Sequence, residues 1–341
     1  MIPLDDVLLQ DEFFNYLLSY ASEGKYNVYV DTVENEFKFL RNGEFNKDFQ
    51  SGYFFRMQKE KNEVAITDFD TISYYQYGLS QIFYYKQIIS CPPLSIENLE
   101  AAGVKYGAQR TMSEIQHTID EVFFGKRLIN NYFTNSEDSS IQDSVVKFSL
   151  ITSRNRLFSW FYKGDNTGIE HLLEYVSLDL IRNCIAQGYD NKARHQLNLR
   201  WSFIDYFSQT DKMEVIMSEV RQELRKHINL KEDWDFSGDK EYYYAVGQLV
   251  NYLLGKIKSK NRPQSLVNPF LNAKRDELVR KQLKYLYKQV NYDIDLNSKR
   301  VNNLIGHIMT YQNVDQVDQE MLIGGFTDNS LIYEKEEETA K

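Results

Sequence analysis

Twelve Lys and Arg against four Asp and Glu lie between Asn251 and Arg300, a local charge of +8 in a chain whose total is −9. Amines and guanidiniums at that density neutralise a line of phosphates, or another anionic surface, without making or breaking bonds. Much of the block reads as one helix, because Val279, Leu283, Leu286 and Val290 recur at the i, i+4, i+7, i+11 spacing of a buried stripe. Glu277, Lys281, Lys284 and Lys288 repeat that spacing displaced by two residues, which at about 100° per residue sets them opposite the stripe. The basic face is therefore expected to look outward. Lys256, Lys258, Lys260 and Arg262 precede the helix, and Lys274, Arg275 and Arg280 widen the track. The plainer alternative is a solvated face balanced by acids elsewhere.

A second basic group, Lys192, Arg194 and Arg200, interleaves with His195, Asn198 and Trp201 on another expected helix, the mixture that holds a nucleic-acid backbone and stacks bases. The favoured reading of this group is nonetheless a core helix in which Trp201 is buried and the arginines pair with Asp179 or Asp205. Arg154 and Arg156, ahead of the aromatic run from Phe158 to Tyr162, have the same two readings.

Bond-making chemistry has little support. Gly-x-x-x-x-Gly-Lys-Ser/Thr, Gly-x-Gly-x-x-Gly, Gly-x-Ser-x-Gly and His-Glu-x-x-His are all absent. His117, His171, His195, His227 and His307 form no pair at metal-ligand spacing, and Cys91 and Cys184 are too few for a zinc ribbon or a disulfide framework. Asp179 and Asp205 could meet in space to hold a metal, so a metal-dependent hydrolase remains a distant alternative. The expectation is no catalytic residue, no metal and no cofactor.

The elements that must position these groups are mostly helical. Tyr (25) and Phe (21) are abundant and Pro is scarce (5), a balance that favours long helices with aromatic packing. Leu8 to Ser22 predicts a first helix, closed at Gly24. Tyr26 to Val30, Glu36 to Leu40, Gly52 to Met57 and Val64 to Phe69 predict a small antiparallel sheet. From Ser73 onward the pattern reads as helical, with no further convincing strand. Helices are expected over Ile141 to Tyr162, Ile169 to Gln187, Asn191 to Phe207, Lys212 to Ile228, Lys240 to Lys260, Asn272 to Val290 and Ser298 to Tyr311. On the Lys240 to Lys260 helix, Val246, Leu249, Val250, Leu253 and Ile257 share one face. The fold class is mainly α with a small N-terminal antiparallel β-sheet (α+β) and a C-terminal helical bundle. Its expected divisions are a small α+β domain at 1–100, a helical middle at 101–208, the bundle at 209–333 and an acidic disordered tail at 334–341, with Ser208 to Asp211 as an edge. No run of 18 apolar residues and an acidic start, Met1 to Asp6, argue for a soluble cytoplasmic protein without membrane contact.

Tyr242-Tyr243-Tyr244-Ala245-Val246-Gly247-Gln248-Leu249-Val250-Asn251-Tyr252-Leu253-Leu254, Asn268-Pro269-Phe270-Leu271-Asn272-Ala273-Lys274, and Leu322-Ile323-Gly324-Gly325-Phe326 followed by Leu331-Ile332-Tyr333 together resemble the large subunit of type I-B CRISPR Cascade complexes. Gly52-Tyr53-Phe54-Phe55-Arg56 and Asp68-Phe69-Asp70 add a weaker likeness. Members of that family are usually longer, so the resemblance implies a compact or N-terminally shortened variant. It also implies a non-catalytic subunit in antiviral defence that helps recognise the target and holds displaced DNA. Its partners would be guide RNA, target DNA, other Cascade subunits and a separate helicase-nuclease, with guide pairing reading the sequence. A helical scaffold docking an acidic protein on the same basic face is the alternative.

Overall fold

The computed structural model describes residues 3–91, 105–137, 139–230, 232–257, 264–294, 299–312 and 316–334. Two compact units emerge, one from residues 1–84 with 107–172 and one from 85–106 with 173–341. Ser208 to Asp211, the expected edge, falls inside the second unit.

In the first unit, helix α1 (Leu4–Ser22) precedes strands β1 (Asn27–Asp31), β2 (Glu36–Leu40), β3 (Gly52–Glu60) and β4 (Glu63–Ile72). They form an antiparallel sheet of order β2-β1-β3-β4. Alternation along each strand supplies two faces. Val28, Phe39, Phe55 and Met57 bury Leu17 and Ala21 of α1, and Tyr20 stacks on Phe39 with ring centroids 3.9 Å apart. The next residue along turns to the other face, where Tyr29 donates its hydroxyl to the Tyr162 carbonyl at 2.8 Å and Phe54 meets Phe158.

Strands β5 (Gly78–Tyr85) and β6 (Gly107–Thr111) pair in a second, two-stranded sheet, which corrects the helical reading from Ser73 onward. Only Phe83-Tyr84-Tyr85 shows a buried-exposed-buried alternation, too short a run to signal a strand. Helix α2 (Met112–Phe124) then starts at a capping box in which Thr111 and Glu114 exchange side-chain and backbone bonds, and it stops at Gly125 with φ 59°. After the short α3 (Leu128–Asn131), α4 (Ser144–Phe158) is capped by Asp143 and runs into a π turn, Ser159–Lys163.

The chain continues through α5 (Ile169–Ala186), α6 (Asp190–Ser208), α7 (Lys212–Asn229), α8 (Asp239–Gly255), α9 (Gln264–Leu271), α10 (Asp276–Val290), α11 (Lys299–Thr310) and α12 (Gln319–Thr327). The second unit is a helical bundle about α8, which is buried on almost every side: Tyr242, Tyr243 and Tyr244 are enclosed along with Val246, Leu249, Val250 and Leu253. The two helices α8 and α12 cross at backbone contact, with Gly247 against the Leu322 carbonyl and Gly325 against that of Tyr244. The fold is thus α+β, a small N-terminal antiparallel sheet followed by helices. Among the described residues no helix is long and apolar enough to cross a membrane. Most of the expected tail, 335–341, lies outside the described residues. Glu334 does not behave as a free tail, since both its carboxylate oxygens accept from Arg225 at 2.8 and 3.0 Å.

Candidate nucleic-acid interface

Helix α10 presents the arrangement its spacing predicts. Val279, Leu283, Leu286 and Val290 are buried, whereas Lys281, Lys284 and Lys288 are exposed on the opposite side. Among the described residues none of these three lysines forms an ion pair, so their charge is directed at solvent. From Lys281 to Lys288 is seven residues, about 10.5 Å along the axis at ~1.5 Å per residue. Lys274 and Arg275 are exposed at the approach to the helix, and Arg275 makes only a loose 4.0 Å contact with Glu277.

Other members of the expected track have structural work. Arg280 donates Nε to Asp276 one turn back, Nη1 to the carbonyls of Ile308 and Met309 at 3.0 Å each, and Nη2 to that of Tyr311 at 2.6 Å. It therefore closes the C-terminal end of α11, where carbonyls lack intrahelical partners, and is removed from the interface. The Lys256 ammonium rests over the rings of Tyr252 and Tyr333, 4.8 and 5.7 Å from their centroids. Lys258, Lys260 and Arg262 lie outside the described residues.

The second basic group is likewise mostly internal. Arg200 is 4% exposed and reaches Glu320 Oε1 through Nε and Nη2 at 2.9 and 2.5 Å, while Trp201 Nε1 donates to Glu320 Oε2 at 2.8 Å. Its Nη1 donates to the Glu174 carbonyl and to Ser177 Oγ. Arg194 Nε donates to the Thr327 carbonyl at 2.5 Å, at the end of α12. Arg200 and Arg194 are thus pins between helices, and Lys192, half-buried like Arg194, makes no such bond among the described residues. The carboxylate taking Arg200 is Glu320, not the expected Asp179 or Asp205. Asp179 pairs with Arg182 at 3.6 Å, and Asp205 accepts from the Met213 amide at 2.9 Å beside Lys86.

Among the described residues no three His, Cys, Asp or Glu side chains come together as a metal site would need. One arrangement within the second unit has the composition of a thiol catalyst: Cys91 Sγ lies 3.7 Å from His195 Nδ1 and 3.7 Å from Asn198 Nδ2. Its chemistry points elsewhere. His195 Nδ1 is engaged by the Tyr106 hydroxyl at 2.8 Å, and Asn198 clamps the Ile89 amide and carbonyl at 2.8 and 2.9 Å. Burial pushes the Cys91 thiol up, away from the thiolate a nucleophile needs.

Among the described residues the geometry thus leaves Lys274, Arg275, Lys281, Lys284 and Lys288 as the exposed cationic surface of the block. Comparison with known proteins adds no assignment: no family model, no curated protein and no solved structure matches the chain.

Proposed function

We propose that the chain is a non-catalytic nucleic-acid-binding subunit of a CRISPR RNA-guided DNA-targeting complex. In this reading it helps recognise the target, steadies displaced strand and recruits a helicase-nuclease. The observation that carries the binding function is the outward row Lys281, Lys284 and Lys288, exposed, without ion pairs among the described residues, and backed by a buried stripe that fixes its orientation. Each lysine is a point charge with rotatable donors, suited to phosphate oxygens and carrying no base information. The placement within a CRISPR complex rests on the resemblance of the Tyr242–Leu254, Asn268–Lys274 and Leu322–Phe326 segments.

The test is a triple substitution, Lys281→Gln, Lys284→Gln and Lys288→Gln, which leaves helix propensity nearly unchanged. Neutralising three phosphate contacts shrinks the slope of log affinity against log salt by about 2.7 on duplex DNA, or about 2 on a single strand. The loss is expected to be alike for unrelated sequences. A folded triple variant with an unchanged salt slope on nucleic acid, but weakened capture of an acidic protein, would transfer this face to protein docking.

A further inference from the structure

The first unit contains a cleft of about 590 Å³, within the range of about 300–1,000 Å³ usual for small-ligand sites. Two departures from regular backbone shape it. The register of β3 against β4 slips between Arg56 and Met57, leaving Thr67 as the extra residue of a β-bulge, and the π turn after α4 brings Ser159 and Lys163 into the lining. Bulges and π turns re-aim side chains at the cost of regular hydrogen bonding, and are enriched beside binding sites.

Arg56 is the unusual group in this cleft. Only 7% of it is exposed, yet among the described residues it has no carboxylate at ion-pair distance. Nη1 donates to the neutral side-chain oxygens of Asn27 at 2.6 Å and Asn42 at 3.1 Å, and the guanidinium lies 3.4 Å from the centroid of Phe133. Nε and Nη2 donate to no described acceptor, and neither is sealed from solvent. Those two atoms form the side-on edge that takes two oxygens of one oxyanion. The nearby carboxylate of Asp68 is already held by Lys163 at 2.7 Å. Burial lowers the Arg56 pKa to about 10, so it remains charged at neutral pH. Lys163 is offset by Asp68 and Asp70, at 2.7 and 3.3 Å, so the positive charge of the lining is chiefly that of Arg56 and Lys59. Phe133, 38% exposed, and half-buried Tyr26 offer apolar ring surface, and Asn155 and Ser159 offer polar contacts.

We propose that this cleft binds a mononucleotide, its phosphate on the Nε–Nη2 edge of Arg56 and its base against the exposed ring of Phe133. The site shares no residue with the α10 face and does not rest on the function proposed for it.

Calorimetric titration of the full chain with the four ribonucleoside monophosphates, adenosine and inorganic phosphate tests the assignment. Saturable binding of at least one monophosphate is expected, with adenosine and inorganic phosphate each at least about tenfold weaker, since each lacks half of the recognition. Arg56→Lys keeps the charge but removes the fork, and should weaken binding by about tenfold to a hundredfold. If that variant fails to fold, Lys59→Glu decides, because Lys59 is exposed on the rim and a reversed charge there should weaken binding several-fold without touching the core. The Lys281, Lys284, Lys288 triple variant should bind as the unaltered chain does. Absence of saturable binding by every monophosphate overturns the proposal, as does binding insensitive to both cleft substitutions. Inorganic phosphate binding as tightly as the monophosphates overturns the role of the ring.

Discussion

Replacing Gly247 or Gly325 by Ala places a methyl group where the neighbouring helix has backbone. A Cβ on Gly247 would stand 2.1 Å from the Leu322 carbonyl oxygen and 2.6 Å from the Phe326 amide nitrogen; one on Gly325 would stand 2.0 Å from the Tyr244 carbonyl oxygen. Ordinary separation is about 3.5 Å, so α8 and α12 must part by more than about 1 Å. No rotamer change relieves a clash with backbone. Parting the helices also stretches the bond from Gln248 Nε2 to the Gly325 carbonyl, now 2.7 Å, and the bond from the Tyr244 hydroxyl to Asp328, now 2.6 Å. Overpacking costs about 1–3 kcal/mol where side chains can yield, so each substitution is expected at or above the upper end, about 3 kcal/mol. Once the helices have parted for the first methyl, the second finds room, and the double variant should lose at least about 1 kcal/mol less than the sum. Gly306 provides the control, being inside α11 with no atom within 4 Å of a would-be Cβ. Gly306→Ala should stabilise by about 0.5–1 kcal/mol through helix propensity alone. Urea unfolding followed by far-ultraviolet circular dichroism reads all four. A Gly247→Ala chain within about 0.5 kcal/mol of the unaltered one would refute the close crossing as a constraint on this fold.

Two further perturbations probe buried charge. Asp120 on α2 accepts from the Leu128 amide at 2.7 Å, and burial pushes its carboxyl up to about 6 against an ordinary 3.8. The folded state therefore holds the proton more tightly than the unfolded chain: the associated stability is fully present below about pH 4 and is lost as pH rises through about 6, some 3 kcal/mol at most. Unfolding free energies of the unaltered chain and Asp120→Asn should diverge across that window, and parallel pH profiles would contradict the assignment. Glu320→Ala strands the Arg200 guanidinium and the Trp201 Nε1 proton together, at an expected cost of about 3–5 kcal/mol, with Glu320→Gln intermediate. A loss below about 1 kcal/mol in urea unfolding would show that this pair is not structural.

Period and punctuation made the long elements legible. The stripe on α10 was readable because its four apolar residues lie three and four apart with charge between them, and the four-stranded sheet because turns such as Lys61-Asn62 separate the runs. What escaped was held by distant partners. Strand β5 buries only Phe83 and Tyr85 and β6 is short and mostly polar, so neither has an inward-facing row long enough for a period-of-two search to find. Helix α12 is buried nearly all round, which erases the contrast between faces. The glycines at its crossing with α8 stood within segments singled out only as a resemblance, and their role depends on a neighbour more than 70 positions away. Arg56 had a local signal, a lone cation in the aromatic run Gly52-Tyr53-Phe54-Phe55-Arg56, but nothing local reveals that its partners are two asparagines and a ring.

The same limit explains how a count of +8 overstated the binding surface. Net charge treats Arg and Lys alike, but a guanidinium offers five donors in a rigid plane and an ammonium is a compact, strongly hydrated charge on a flexible stem. Where helix ends leave several carbonyls unmatched, only the planar fork meets them together. Arg280 does this for Ile308, Met309 and Tyr311, and Arg300 for Leu331 and Glu334, while Arg221 and Arg225 take Asp328 and Glu334. Lys274, Lys281, Lys284 and Lys288 are left outward because an ammonium loses more hydration on burial than such sites return. Arg280, Arg300, Arg221 and Arg225 thus bind the bundle together, while these lysines, with Arg275, charge its surface. An interface of lysines with Arg275 as its one guanidinium among the described residues follows a backbone of phosphates with little of the bidentate geometry that distinguishes a guanine, so its grip should depend steeply on salt and weakly on sequence.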